Sequence, residues 1–518
     1  MSDNAAGHEL PPLRGATLAL TTFALSLATF MNVLDATIAN VSIPAIAGDL
    51  GVSPNQGTWV ITSFAVAQAI SVPLTGWLSQ RFGTVRLFVI LILLFVLASV
   101  GCGLSTSLQM LIVFRIVQGA VAGPMIPLSQ ALLLQSFPRE KAGMALAAWS
   151  MTTLIAPILG PLMGGWISDN LSWPWIFYIN IPTGIVAAAA AWHLLRHRET
   201  PTVRRPVDGV GLALLVISVG SLQIMLDKGK ELDWFGSDQI IILAAVAAIG
   251  FCFFVAWELT DEHPVVDLSL FRRRNFTAGA ITLALGYGIF MGGVVMMPLW
   301  LQQFLGYTAY WAGLATAPIG ILALICMPVV GKLLPKSDPR LFASTSFLVF
   351  ALVSYMRSGF TLEVSPWVII LPQLIQGAAM ATFFVPLTSL VLSGLHPSRI
   401  AAAAGLSNFM RLTAAAVGVS ISTTMWDDRA SLHHAQLAEH INVYDGAARQ
   451  TIATLSAQGM PGDQIMALLD HQATAQAYMM SANDYYYLTS LLLVLLAAAV
   501  WFAKPQRHAA AVPVDGSH

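Results

Sequence analysis

The sequence predicts an all-α polytopic membrane protein with fourteen transmembrane helices, two six-helix halves flanking two extra central helices. Three observations carry that expectation. Of the 518 residues, 56% are hydrophobic and only 10% are charged, with a mean hydropathy of +0.72. Soluble domains carry about 25% charged residues, so this chain has too little charge to solvate its own surface. Apolar stretches of about 20 residues, the length that crosses about 30 Å of hydrocarbon, recur from end to end. The third observation is a long-range repeat. Gln118-Gly119 followed by Pro127-Leu128-Ser129 returns as Gln376-Gly377 followed by Pro386-Leu387-Thr388. Trp59, Gly76 and Arg86 return as Trp311, Gly331 and Arg340, so the offset stays between 252 and 259 residues.

Taken in order, the spans fall at 16–37, 57–78, 86–104, 109–135, 144–167, 174–195, 208–226 and 239–258. The remainder fall at 278–301, 311–331, 341–356, 367–393, 401–425 and 485–503. The repeat maps the second span onto the tenth and the fourth onto the twelfth. The expected organisation is an N-terminal tail (1–15), a six-helix half (16–196), an extra pair (208–258), a second six-helix half (278–503) and a tail (504–518). An outer loop at 426–484 lies within the second half. Parallel repeats of this kind are a transporter signature, with substrate held between the halves near mid-membrane. The polar start, Met1 to Arg14, leads straight into a full-length span without a cleavage-type boundary, so that span is expected to remain as an anchor.

Lysine and arginine set the orientation. Of the 25, 18 fall in the tails and alternate loops, among them Arg14, Lys141, Arg196, Arg272, Lys332 and Lys504. The opposite loops hold five: Lys228, Lys230, Arg357, Arg429 and Arg449. Both termini are therefore expected in the cytoplasm. Arg115 and Arg411 remain inside spans.

Composition and missing motifs exclude other classes. A net charge of −1 with scattered basic residues gives no electrostatic footprint for nucleic acid. Cys102, Cys252 and Cys326 all fall in apolar runs, where small packing residues are expected rather than a disulfide framework or metal site. There is no GxxxxGK[ST] loop for ATP, no HExxH, and no GxSxG elbow on a strand–turn–helix. No cofactor and no catalytic residues are expected, and uphill transport must draw on an ion gradient.

Asp35, in Leu34-Asp35-Ala36-Thr37-Ile38-Ala39-Asn40, falls near the outer end of the first expected span. An intramembrane carboxylate is costly and functional by default. With a water path it can bind and release a proton, the alternative being a helix-end acid bonded to backbone donors. Arg115, in Arg115-Ile116-Val117-Gln118-Gly119, cannot shed its charge and must face protein or water. It can bias a carboxylate, bind a substrate anion or hold helices together. Arg411, in Asn408-Phe409-Met410-Arg411, is a second buried cation able to receive an anion or a carboxylate. Asn408 and Gln118 join it as polar candidates for substrate contact. Gly76 to Arg86 allows a tight turn, with Arg81, Gly83 and Arg86 placed to form a breakable latch with acids or helix ends. Pro157, Gly160, Pro161, Gly164 and Gly165 interrupt the fifth span and suit a pliable helix at the seam between halves.

Gly76 to Arg86 resembles the loop motif between the second and third spans of the major facilitator superfamily. Arg115 to Gly119 resembles its fourth-span motif and Pro157 to Gly165 its antiporter motif. With fourteen spans and the Leu34 to Asn40 segment, the chain is similar to the fourteen-helix drug:proton antiporter subfamily. Gln80 departs from the loop motif, standing where an acid is usual. The likeness covers nearly the whole chain, including Gln56 to Phe64, Gly229 to Trp234 and His433 to Leu437. It implies proton-coupled multidrug efflux of hydrophobic, amphipathic toxicants from the bacterial inner membrane. It further implies a periplasmic membrane-fusion adaptor (EmrA-type) and an outer-membrane channel (TolC-type). An exporter dedicated to a fatty acid or siderophore is the nearest alternative, and a membrane-embedded lipid-handling protein a more distant one. Within 426–484, Leu432, Leu437 and Ile441 at roughly helical spacing predict two short amphipathic helices broken near Pro461-Gly462. These either dock the adaptor or cap the outer vestibule.

Overall fold

The computed structural model describes residues 11–138, 141–203, 206, 208–262, 264–442 and 444–504. Residues 1–10 and 505–518 of the expected tails, with Arg139, Arg204 and Arg205, lie outside the described residues. Thirteen helices among the described residues are long and apolar enough to cross a membrane. The 29-residue Ala142–Asn170 helix supplies the fourteenth, and no strand occurs among the described residues.

The first half comprises α1 (Gly15–Asp49), α2 (Trp59–Phe82), α3 (Thr84–Gly103), α4 (Leu108–Ser136), α5 (Ala142–Asn170) and α6 (Trp175–Arg198). The extra pair is α7 (Gly209–Lys228) and α8 (Asp238–Thr260). The second half comprises α9 (Arg274–Phe304), α10 (Trp311–Lys336), α11 (Pro339–Arg357), α12 (Pro366–Leu392), α13 (Pro397–Ala438) and α14 (Gly462–Phe502).

Packing repeats with an offset of eight helices. The pairs α1–α5, α2–α4, α3–α6 and α1–α4 recur as α9–α13, α10–α12, α11–α14 and α9–α12. The repeated glycines give the reason. A Cβ on Gly119 would lie 2.3 Å from the Phe64 carbonyl oxygen, and one on Gly377 would lie 2.3 Å from that of Ile319. Only glycine lets each helix pair approach so closely. The halves touch at the end that carries the termini through a second related pair. A Cβ on Gly76 would fall 2.6 Å from Ala402 Cβ on α13, and one on Gly331 would fall 2.9 Å from the Gly143 oxygen on α5.

Three expectations change. The first span is longer than 16–37: α1 runs 35 residues to Asp49, ending where Gly51 takes φ +65°. Asp35 therefore sits near the middle of its helix rather than its outer end. The helix carries on through Pro44, which lies inside it, and ends only near Gly51, whose backbone takes the left-handed conformation. The segment 426–484 is mostly helix continuous with its spans, because α13 runs 42 residues to Ala438 and the helical stretch of α14 starts at Gly462. Only the 12-residue helix Gly446–Ala457 stands between them. Helices end at caps rather than at the membrane surface, and this segment is rich in the strong helix formers Ala, Gln, Leu and Met. Its two helical extensions are tied together, with Trp426 Nε1 donating to the Tyr478 oxygen (2.9 Å) and His433 Nε2 lying 2.9 Å from Asp484 Oδ2. Finally, Arg357 is not a solvated outer-loop charge. It is the last residue of α11 and only 3% exposed.

Candidate functional site

Four helices of the first half bring a closed polar cluster to Asp35. Asp35, Ser99, Arg115 and Gln118 are all 0% exposed and Asn180 is 1% exposed. Arg115 and Gln118 stand one turn apart on the same face of α4. Arg115 Nη1 donates to Asp35 Oδ2 at 2.6 Å and to Gln118 Oε1 at 2.7 Å, while its Nε donates to the Val60 oxygen at 2.9 Å. Asp35 Oδ1 accepts from Asn180 Nδ2 at 2.6 Å and from Gln118 Nε2 at 3.1 Å. Ser99 Oγ accepts from Gln118 at 2.8 Å and from Asn180 at 3.3 Å.

Buried charges need partners, and the surrounding chain supplies most of them. The Arg115 guanidinium lies 4.1 Å from the centre of the Phe64 ring and 5.6 Å from that of Phe177, close enough for cation–π attraction. Two buried polar atoms in the cluster lack a protein partner: Arg115 Nη2 and Asn180 Oδ1. An acid, an obligate cation and two carboxamides in this geometry can hold a proton on Asp35 or stabilise its carboxylate.

The sequence motifs behave unequally. Gln118, a candidate for substrate contact, is bound into the Asp35 cluster, because its position one turn from Arg115 points it the same way. Asn180 and Ser99 were missed; the available signal was a lone amide or hydroxyl inside an apolar run. Arg411 is not brought to Asp35. It sits in the second half, its Nη2 donating to Asn408 Oδ1 (2.8 Å), with the Tyr287 ring 4.6 Å and the Phe384 ring 5.9 Å away. No carboxylate pairs with it among the described residues. Asn408 Nδ2 donates to Gln130 Oε1 of the first half at 3.4 Å, so this cation lies at the seam.

The antiporter-type glycines do not face the seam. A Cβ on Gly160 would lie 2.2 Å from Thr37 Oγ1, and one on Gly164 would lie 2.7 Å from the Ile38 oxygen. They press α5 against α1 just past Asp35, and Gly165 faces Val41 more loosely, at 3.9 Å. Helix α5 is continuous through Pro157, rather than interrupted; the side chain of Pro161 is outside the described residues. In the loop motif, Gly83 takes φ +85°, where an L side chain is strained. Glu199, from the end of the first half, supplies the acid that Gln80 lacks. Its carboxylate accepts from the backbone N–H of Val85 (3.0 Å) and Arg86 (2.8 Å), capping α3. Arg86 Nε is 4.0 Å from it, and the Arg81 guanidinium lies over Trp77 at 5.4 Å.

Similar proteins are consistent with this architecture. The chain is 53% identical over 499 residues to multidrug export protein EmrB of Escherichia coli strain K12, covering 95% of this chain and 97% of that protein. It is 50% identical over 501 residues to fatty acid resistance protein FarB of Neisseria gonorrhoeae, covering 97% and 99%. Among solved structures, the human organic anion transporter MFSD10 superposes with a TM-score of 0.57 at 14% identity, covering 93% of this chain and 100% of that one. The proton:xylose symporter XylE, bound to 6-bromo-6-deoxy-D-glucose, gives 0.59 at 14% identity, covering 95% and 97%. These two support the fold alone. The family profile described as the Major Facilitator Superfamily matches residues 25–419, and the chain belongs to that superfamily.

Proposed function

We propose that this protein is a proton-coupled exporter of hydrophobic and amphipathic toxic compounds, working in the bacterial inner membrane with both termini cytoplasmic. The buried Asp35–Arg115 pair carries the reading. A carboxylate fully removed from water, held by one cation and two amides, is a proton-binding group whose charge state must matter to its helix. That helix packs through Gly160 and Gly164 onto α5, and α5 reaches the other half at Gly143 and Gly331. Proton binding at Asp35 therefore has a short mechanical route to the contact between halves. The names of the half-identical relatives support drug export.

Arg411 and Asn408 are the proposed substrate contacts. A guanidinium with no carboxylate partner among the described residues, flanked by Tyr287 and Phe384, suits the anionic head and apolar body of a weak-acid amphiphile. Arg411→Gln should weaken export of anionic amphiphiles, such as uncoupler-type weak acids, while sparing neutral ones. Loss of one charge-assisted hydrogen bond, about 1.5–3 kcal/mol, corresponds to roughly 10- to 100-fold in apparent affinity. Efflux assays in vesicles check this, and equal losses for both classes would remove Arg411 from the substrate path. The second reading, export dedicated to fatty acids, is favoured by the fatty acid resistance relative. Resistance profiles of cells with and without this protein separate the two, since a dedicated exporter protects against fatty acids alone.

We also propose that the outer extensions of α13 and α14, with the helix Gly446–Ala457, dock an EmrA-type periplasmic adaptor leading to a TolC-type channel. Tyr444 is 92% exposed and Met466 50% exposed on this projection. Replacing 443–461 by a short Gly-Ser turn should reduce adaptor co-purification several-fold while membrane insertion is retained. Unchanged capture would assign the projection to a cap over the vestibule.

A further inference from the structure

The second half contains a buried arginine in the place that corresponds, by the internal repeat, to the Asp35 cluster. The offset of 258 residues that carries Gln118 onto Gln376 also carries Arg115 onto Gln373 and Asp35 onto Gly293, while Arg357 reaches the same glutamine from the end of α11. In both clusters a guanidinium donates to the Oε1 of the repeated glutamine: Arg115 to Gln118 and Arg357 to Gln376. The charge is not alike. In the first half a cation is matched by an acid, whereas in the second half the cation has moved to α11 and glycine stands where the acid would be.

Arg357 is 3% exposed and makes no ion pair among the described residues. Its Nε is buried without a partner. The Tyr486 ring lies 5.6 Å from its Cζ. A guanidinium cannot neutralise itself by losing a proton, and an uncompensated charge at this depth is costly. Beside it lies a cavity of about 20 Å³, lined by Arg357, Gln376, Gly293, Ser354, Tyr485 and Thr489 among others. That volume holds one water-sized occupant.

We propose that this cavity is a binding site for a small monovalent anion of the chloride class, which serves as the counter-ion of Arg357. The cation fixes the sign of the ligand, and a monoatomic halide, close to a water molecule in size, fits the space beside the guanidinium. Gly293 keeps the space clear: a Cβ there would meet only Tyr486 Cε1, at 3.8 Å.

The test is thermal unfolding of the purified full-length protein in detergent, with chloride replaced by gluconate at constant sodium and ionic strength. Ligand linkage predicts that Tm rises by a few degrees with the logarithm of chloride concentration, and that bromide substitutes for chloride. Arg357→Met should abolish the dependence. Gly293→Asp places the missing carboxylate where the repeat puts Asp35, and should make a folded protein whose Tm no longer responds to chloride. Arg411→Gln, which alters a second buried cation without a carboxylate partner among the described residues, should keep the wild-type response. Equal Tm values in chloride and gluconate for the wild type, or a chloride response that survives in Gly293→Asp, would overturn the proposal. So would a response abolished by Arg411→Gln. If Arg357→Met fails to fold, the Gly293→Asp comparison still decides.

Discussion

In proteoliposomes, Asp35→Asn should insert and bind drug yet show drug-induced proton movement no greater than protein-free vesicles. Asparagine keeps the size of the side chain and can still accept from Asn180 and Gln118, so the polar cluster retains its framework. What it loses is the group that titrates. An exporter driven by the proton gradient needs one site that releases a proton inside and takes another from outside, and no other buried acid shares the described Arg115 cluster. Asp35→Glu should keep partial coupling, since the carboxylate returns on a longer arm in a closely packed site. Drug–proton exchange at the wild-type rate in Asp35→Asn would make Asp35 structural and move coupling elsewhere.

The second large effect concerns stability, and it is asymmetric. Removing one member of a buried ion pair costs about 3–5 kcal/mol because the other is left uncompensated. The two members respond differently. A carboxylate left alone can take up a proton and become neutral, but a guanidinium stays charged. Asp35→Asn should therefore lower Tm more than Arg115→Gln does, even though Arg115 keeps the Val60 oxygen, Gln118 and the Phe64 ring. The double variant, Asp35→Asn with Arg115→Gln, should recover most of the lost Tm without recovering transport. Thermal unfolding of the three variants in detergent measures the cycle. A double variant no more stable than Asp35→Asn would mean that the pair is not coupled as the geometry indicates.

These two results separate coupling from folding, which matters because the Asp35 cluster also ties four helices together. Asn180 on α6 and Ser99 on α3 contact the same carboxylate or its amide partner. A variant that merely loosened the bundle would lose transport and stability in parallel, whereas the double variant is expected to regain only one of them.

By itself the sequence determined the fold class, the membrane setting and the two-half repeat, for a physical reason. Burial in lipid forces long apolar helices, and close packing forces glycines such as Gly119 and Gly377 into equivalent positions, so both constraints are written one residue at a time. It also marked Asp35 and Arg115, because a charge in an apolar run is conspicuous without any coordinates. Tertiary structure alone decided which groups meet. Asp35 and Arg115 lie 80 positions apart, and Asn180 lies 145 from Asp35; no local pattern encodes such contacts. Gln118 turned toward Asp35, and Gly160 toward α1 rather than the seam, because helix rotation is set by packing partners from distant segments. Helix ends were misplaced for a related reason. Hydropathy reports where lipid begins, whereas the helical stretch of α13 runs on to Ala438 and that of α14 starts at Gly462, just after Pro461. Arg357 shows the same limit from the other side: its place at the end of an apolar run reads as a solvated loop charge, yet the side chain turns back into the bundle toward Gln376, where only the folded helices could place it.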